Sequence, residues 1–77
     1  MKELLLYVVR HLVDNPDAVT VEEETREDGE LRLTLRVAPG DMGMVIGRNG
    51  RIARELRTLI RAVAARDDKR AYIEITD

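Results

Sequence analysis

The chain has 77 residues, of which 44% are hydrophobic and 36% charged, and it carries a net charge of −2 with no cysteine and one histidine. A length of this order supports one folded domain with a thin core, of the kind that often draws stability from a partner. The composition excludes disulfides, thiolate metal sites and any nucleophile–base pair built on serine or cysteine, since neither residue occurs.

In chain order, Leu4, Leu5, Val8, Val9 and Leu12 recur on one helical face, which predicts a helix over residues 3–13 that stops at Asn15-Pro16. Residues 18–25 read as a strand with Val19 and Val21 inward. Glu27-Asp28-Gly29-Glu30 reads as a hairpin turn. Residues 30–37 alternate, with Leu31, Leu33, Leu35 and Val37 inward and Arg32, Thr34 and Arg36 outward. Pro39-Gly40 ends that strand, and Asp41 is placed to cap a very short helix through Val45. After Gly47-Arg48-Asn49-Gly50 comes an amphipathic helix over 51–66, with Ile52, Ala53, Leu56, Leu59, Ile60 and Val63 on its apolar face. A last strand covers 70–76. The expectation is an α+β fold in the order helix, strand, strand, helix, helix, strand, with a three-stranded sheet and the helices packed on one face. Residues 1–77 then form a single domain.

The charge is unevenly spread. Residues 47–66 hold six arginines against one glutamate, whereas residues 1–46 hold ten acids against five bases. The only basic block therefore begins at the glycine loop and runs along one helix. A solvated helix face would look the same, but an all-arginine set tilts towards phosphate or RNA contact. The aromatics are two tyrosines, which disfavours stacking on ring platforms. No apolar run approaches the roughly 20 residues of a membrane span, and Met1-Lys2-Glu3 does not open a signal peptide. A cytoplasmic setting without membrane contact is expected.

Two glycines three residues apart allow positive φ angles and close approach of a ligand backbone, and the helix that follows offers N–H groups to an anion. A GxxG pair alone also suits an ordinary helix–helix turn. Neither a dinucleotide fingerprint nor a P-loop is present.

Ile46-Gly47-Arg48-Asn49-Gly50-Arg51-Ile52 resembles the glycine-loop signature of KH domains. The likeness extends over the whole chain and to Val13-Asp14-Asn15-Pro16 and Val37-Ala38-Pro39-Gly40-Asp41-Met42-Gly43. Together they resemble the KhpA family of small stand-alone bacterial KH proteins, with the type II element order. The resemblance implies a groove for single-stranded RNA. In it Gly47, Arg48, Asn49 and Gly50 hold the sugar–phosphate backbone, Arg51 and Arg54 extend the phosphate track, and Val45, Ile46 and Ile52 line an apolar floor. A loop at about Arg26–Glu30 would form the opposite wall; here it departs from the family in being strongly acidic, and its acids would repel RNA if it overhangs the groove. The resemblance further implies an RNA chaperone or post-transcriptional regulator of low sequence selectivity, acting as a homodimer or beside a larger KH-containing RNA-binding protein. The residues themselves offer no catalytic set and no metal-ligand spacing, so no enzyme activity, cofactor or metal is expected. The rival reading is a protein-interaction module that docks through its exposed sheet face or its loop-and-helix region, with RNA contact incidental.

Overall fold

The computed structural model describes residues 1–77, and its elements follow the sequence periodicities closely. Helix α1 (Lys2–Arg10) buries Leu5 and Val9, an i, i+4 pair on one face. It ends earlier than the apolar pattern suggested. The turn tightens at Leu12, whose N–H bonds the Val9 carbonyl at 2.9 Å. Asn15, kept out of the helical region by Pro16, then leads into a 3₁₀ turn over Pro16–Ala18.

Strands β1 (Thr20–Thr25) and β2 (Leu31–Arg36) pair antiparallel with Val21 opposite Leu35. Strand β3 (Ala71–Thr76) pairs parallel to β2 with Leu33 opposite Ile73, giving the sheet order β1-β2-β3. A parallel pairing needs a crossover. Helices α2 (Met42–Ile46) and α3 (Arg51–Arg66) supply it, leaving the sheet at the end of β2 and returning to the start of β3. Leu33, Leu35, Val21 and Ile73 meet Leu5, Val9, Val45, Leu56 and Ile60 in one continuous core. Each fully buried Leu or Ile contributes about 1.5–3 kcal/mol. The other face of the sheet is polar, carrying Glu22, Glu24, Arg32, Thr34, Arg36 and Glu74 around Tyr72. The fold is α+β with helices on one face of a three-stranded sheet.

Two local expectations change. Asp41 does not cap α2 with its side chain. It is only 4% exposed, and its carboxylate instead accepts hydrogen bonds from the backbone N–H groups of Asn15 (3.0 Å) and Asp14 (3.3 Å). The α1–β1 connection turns inward there and brings two otherwise unmatched donors to it. The dry stripe of α3 is also rotated. Ala53, Leu56, Ile60 and Ala64 are buried, while Ile52 is half-exposed and Leu59 exposed. The helix ends in a backbone cap in which Asp68 (φ +58) and Lys69 donate to the carbonyls of Ala65 and Ala64.

Candidate nucleic-acid interface

Helix α2 ends at Gly47, whose φ is +75°, and a 3₁₀ turn over Arg48–Gly50 leads into α3. Asn49 (φ +56°) and Gly50 (φ +73°) are also left-handed. A Cβ on Gly47 would lie 2.5 Å from Ile52 Cγ1 and 2.9 Å from the Ile52 nitrogen, so sterics and conformation both demand glycine. The turn is pinned internally. The Gly47 N–H donates to Gly43 O (2.9 Å), the Gly50 N–H to Gly47 O (3.1 Å), and Arg54 Nη1 to Asn49 O (2.7 Å).

This geometry gathers Gly47, Arg48, Asn49, Gly50, Arg51 and Arg54 at the head of α3. The side chains of Arg48 and Asn49 are exposed, and Arg48 has no carboxylate partner within ion-pair distance. Arg51 is partly engaged: its Nε lies 3.1 Å from Glu55 one turn on, an exposed pair worth a few tenths of a kcal/mol at about 0.3–0.5. Arg54 is spent on holding the loop backbone. The free cation of the loop is therefore Arg48. An anion here would also meet the first-turn N–H groups of α3 and the positive end of its dipole.

The apolar floor differs from expectation. Val45 is 0% exposed and belongs to the core, so it supports the loop from behind and offers no surface to a base. Its position on the inward side of a five-residue helix decides this. Ile46 is half-buried next to Gly47. Ile52 lines a hollow of about 210 Å³ between α1 and α3, together with Val8, Leu12, Leu56 and Leu59. It faces α1, because residue 53, not 52, takes the inward position after the turn.

Arg57 and Arg61, part of the same basic block, sit at i+3 and i+7 from Arg54 and so share its flank. Arg61 lines an open hollow together with Ala71 and Tyr72 at the start of β3, which places that end of the flank at the outer edge of the sheet. The spacing was the available signal. Which flank meets the sheet edge depends on how α3 is rotated against the core.

The acidic turn lies away from the glycine loop. The Leu31 N–H donates to Arg70 O (2.9 Å), and Arg70 Nη2 lies 3.0 Å from Asp28 Oδ2. The hairpin turn is thus tied to the α3–β3 connection, at the opposite end of α3 from the glycine loop. A 16-residue helix spans about 24 Å, so the acids do not overhang the loop. The backbone N–H of Glu30, and then Arg70, hold the Asp28 carboxyl below its ordinary value of 3.8.

The family model described as KhpA/KhpB, KH domain, matches residues 2–75. The chain is 51% identical over 75 residues to a Clostridium acetobutylicum protein named RNA-binding protein KhpA, covering 97% of this chain and 99% of that one. It is 47% identical over 78 residues to the protein of the same name in Listeria monocytogenes, covering all of both. With that of Treponema pallidum it shares 50% over 76 residues, 99% of this chain and 94% of the other. With a family match across nearly all its residues and a glycine loop folded as described, the chain belongs to the KhpA/KhpB family of KH domains.

Proposed function

We propose that residues 1–77 act as one KH domain that binds single-stranded RNA with low sequence selectivity. One observation carries the reading: an exposed left-handed glycine turn, bearing the unpaired Arg48, stands at the head of the only strongly basic helix. The backbone of Gly47–Gly50 approaches the sugar–phosphate chain closely, while Arg48 and the first turn of α3 take phosphate oxygens. Asn49 adds a polar side chain on the same surface. Contacts of this kind position a strand but carry no base information, hence the low selectivity. Relatives named RNA-binding proteins support the reading. The role is that of a cytoplasmic RNA chaperone or post-transcriptional regulator, a binder and not an enzyme.

The test is the double variant Arg48→Asp with Asn49→Asp, with affinity for a labelled single-stranded RNA read by polarisation. Binding weakens at least tenfold, and the far-ultraviolet circular dichroism is unchanged. Wild-type log K falls with log salt by about 0.7 per phosphate neutralised. Undiminished affinity in the double variant would sink the loop assignment.

A second reading, association with another protein chain, is favoured by the hollow between α1 and α3. Leu12 and Leu59 stand there 40% and 38% exposed beside Val8 and Ile52. The occupant we favour is a second copy of this chain, which would set two glycine loops on one RNA. A larger KH-containing partner is the other candidate. The polar sheet face offers no comparable apolar surface.

A further inference from the structure

The glycine loop has little scaffolding of its own. Gly47, Asn49 and Gly50 all have positive φ, and no side chain caps the turn. Asn49 is the one of these three that carries a side chain. A residue of that kind stays left-handed only where its surroundings hold it there.

The peptide unit between Asn49 and Gly50 is held at both ends. Its N–H donates to Gly47 O (3.1 Å), and its carbonyl accepts from Arg54 Nη1 (2.7 Å). A trans peptide carries these two groups on opposite sides. The two bonds therefore pull in opposite directions and fix how the plane is turned. Freed at one end, the plane can rotate, and the loop loses the single conformation that presents Arg48 and Asn49 together.

The bond from Arg54 is also the one that joins the loop to the rigid part of α3. Arg54 lies beyond the first turn, next to Ala53, which is buried, and two residues before Leu56, which is buried too. Its guanidinium lies along the loop, with Nη1 3.7 Å from where a Cβ on Gly50 would stand. Nothing competes for it. Glu55, the one acid of α3, is taken by Arg51 at 3.1 Å, and Arg54 has no carboxylate within ion-pair distance.

We propose that Arg54 is a positioning residue for RNA binding, a latch that strengthens binding by keeping the loop preorganised and not by meeting a phosphate. This role rests on the loop reading above and departs from the place in a phosphate track that the resemblance implied for Arg54. The three arginines at the head of α3 then divide the work. Arg48 faces the ligand, Arg51 neutralises Glu55, and Arg54 holds the turn.

Arg54→Met removes the donors and keeps an unbranched stem that favours helix; Arg48→Met is the comparison. Affinity of the full chain for a labelled single-stranded oligouridine is read by polarisation across a salt series. Amide exchange of the RNA-free chain is read by NMR. Arg54→Met weakens binding by about fivefold with the salt slope of wild type, whereas Arg48→Met lowers the slope by about 0.7. The Gly50 amide of Arg54→Met exchanges about fivefold faster, and the amides of Leu56 and Ile60 exchange as in wild type. In an Arg48→Met background the further loss from Arg54→Met is smaller, because the side chain that the latch positions is gone. The latch is overturned by undiminished affinity in Arg54→Met, by a slope lowered by about 0.7 there, or by a Gly50 amide that exchanges as in wild type. It is equally overturned if Leu56 and Ile60 accelerate as much as Gly50, since the loss is then general. If Arg48→Met binds RNA as wild type does, the loop reading falls, and Gly50 exchange in Arg54→Met still decides whether Arg54 holds the turn.

Discussion

Gly47 stands under two separate constraints, and Gly50 under one. Both have φ above +70°, but only Gly47 has Ile52 within van der Waals radius of where a Cβ would be; at Gly50 the nearest atom is the flexible Arg54 guanidinium at 3.7 Å. Gly47→Ala therefore costs about 3 kcal/mol, the upper end for strained backbone with a clash. Gly50→Ala costs about 1 kcal/mol from the left-handed conformation alone. Urea unfolding of both variants checks this, and equal midpoints would show that the contact with Ile52 yields without cost. Arg48 differs from its neighbours in another way. Arg51 is matched to Glu55 and Arg54 to a backbone carbonyl, so of the three only Arg48 keeps its full donor set for a ligand.

Helix α2 is too short to hold itself. Five residues sit far below the length at which an isolated helix is even marginal in water. Its place comes from Val45 in the core and from Asp41 at its head. Asp41 ties the start of α2 to the backbone of Asp14 and Asn15, so the glycine loop that α2 carries is fixed to the end of the α1 connection. Asp41→Ala strands two backbone donors in a part-buried place, and the fold loses about 2 kcal/mol. Asp41→Asn keeps one acceptor oxygen and loses about half as much. Denaturant unfolding measures the loss. Hydrogen exchange at Asp14 and Asn15 locates it, and unchanged exchange at those two amides in Asp41→Ala would contradict the role given to the carboxylate.

Across the whole molecule, charge and greasiness are sorted onto different surfaces. Glu22, Glu23 and Glu24 lie on β1, the far edge strand, and Glu27, Asp28 and Glu30 on the hairpin turn, whereas α3 carries Arg51, Arg54, Arg57, Arg61 and Arg66 against Glu55 alone. The glycine loop and the basic helix it opens therefore lie away from the acidic edge. The apolar remainder of α1 and α3 opens on a third side. If a second copy covers it, sedimentation shows a mass that rises with concentration from 8.8 kDa towards twice that value. The pair Leu12→Ser with Leu59→Ser then stays monomeric while keeping its fold, because both side chains are already exposed. A wild-type chain that remains monomeric at high concentration, with no sign of association, would remove the homodimer.

The alternation of Leu31, Leu33 and Leu35, the Asp-Gly turn, and the apolar stripes of α1 and α3 determined the elements and their order without reference to a fold. Local periodicity is a property of the chain alone. The glycine loop was equally legible, because positive φ and close approach select glycine wherever they occur. What tertiary packing alone decided was direction. The rotation of α3 about its axis put Ala53 and Ala64 in the core, left Ile52 half-exposed and Leu59 exposed, and turned Arg61 towards the start of β3. Ile52 faces α1 for the same reason, while Val45 went into the core because it lies on the inward side of α2. Asp41 found its partners 26 and 27 residues away, a pairing that no local pattern encodes. The acidic turn, adjacent to nothing informative in sequence, was carried by the hairpin to the opposite end of α3 from the loop.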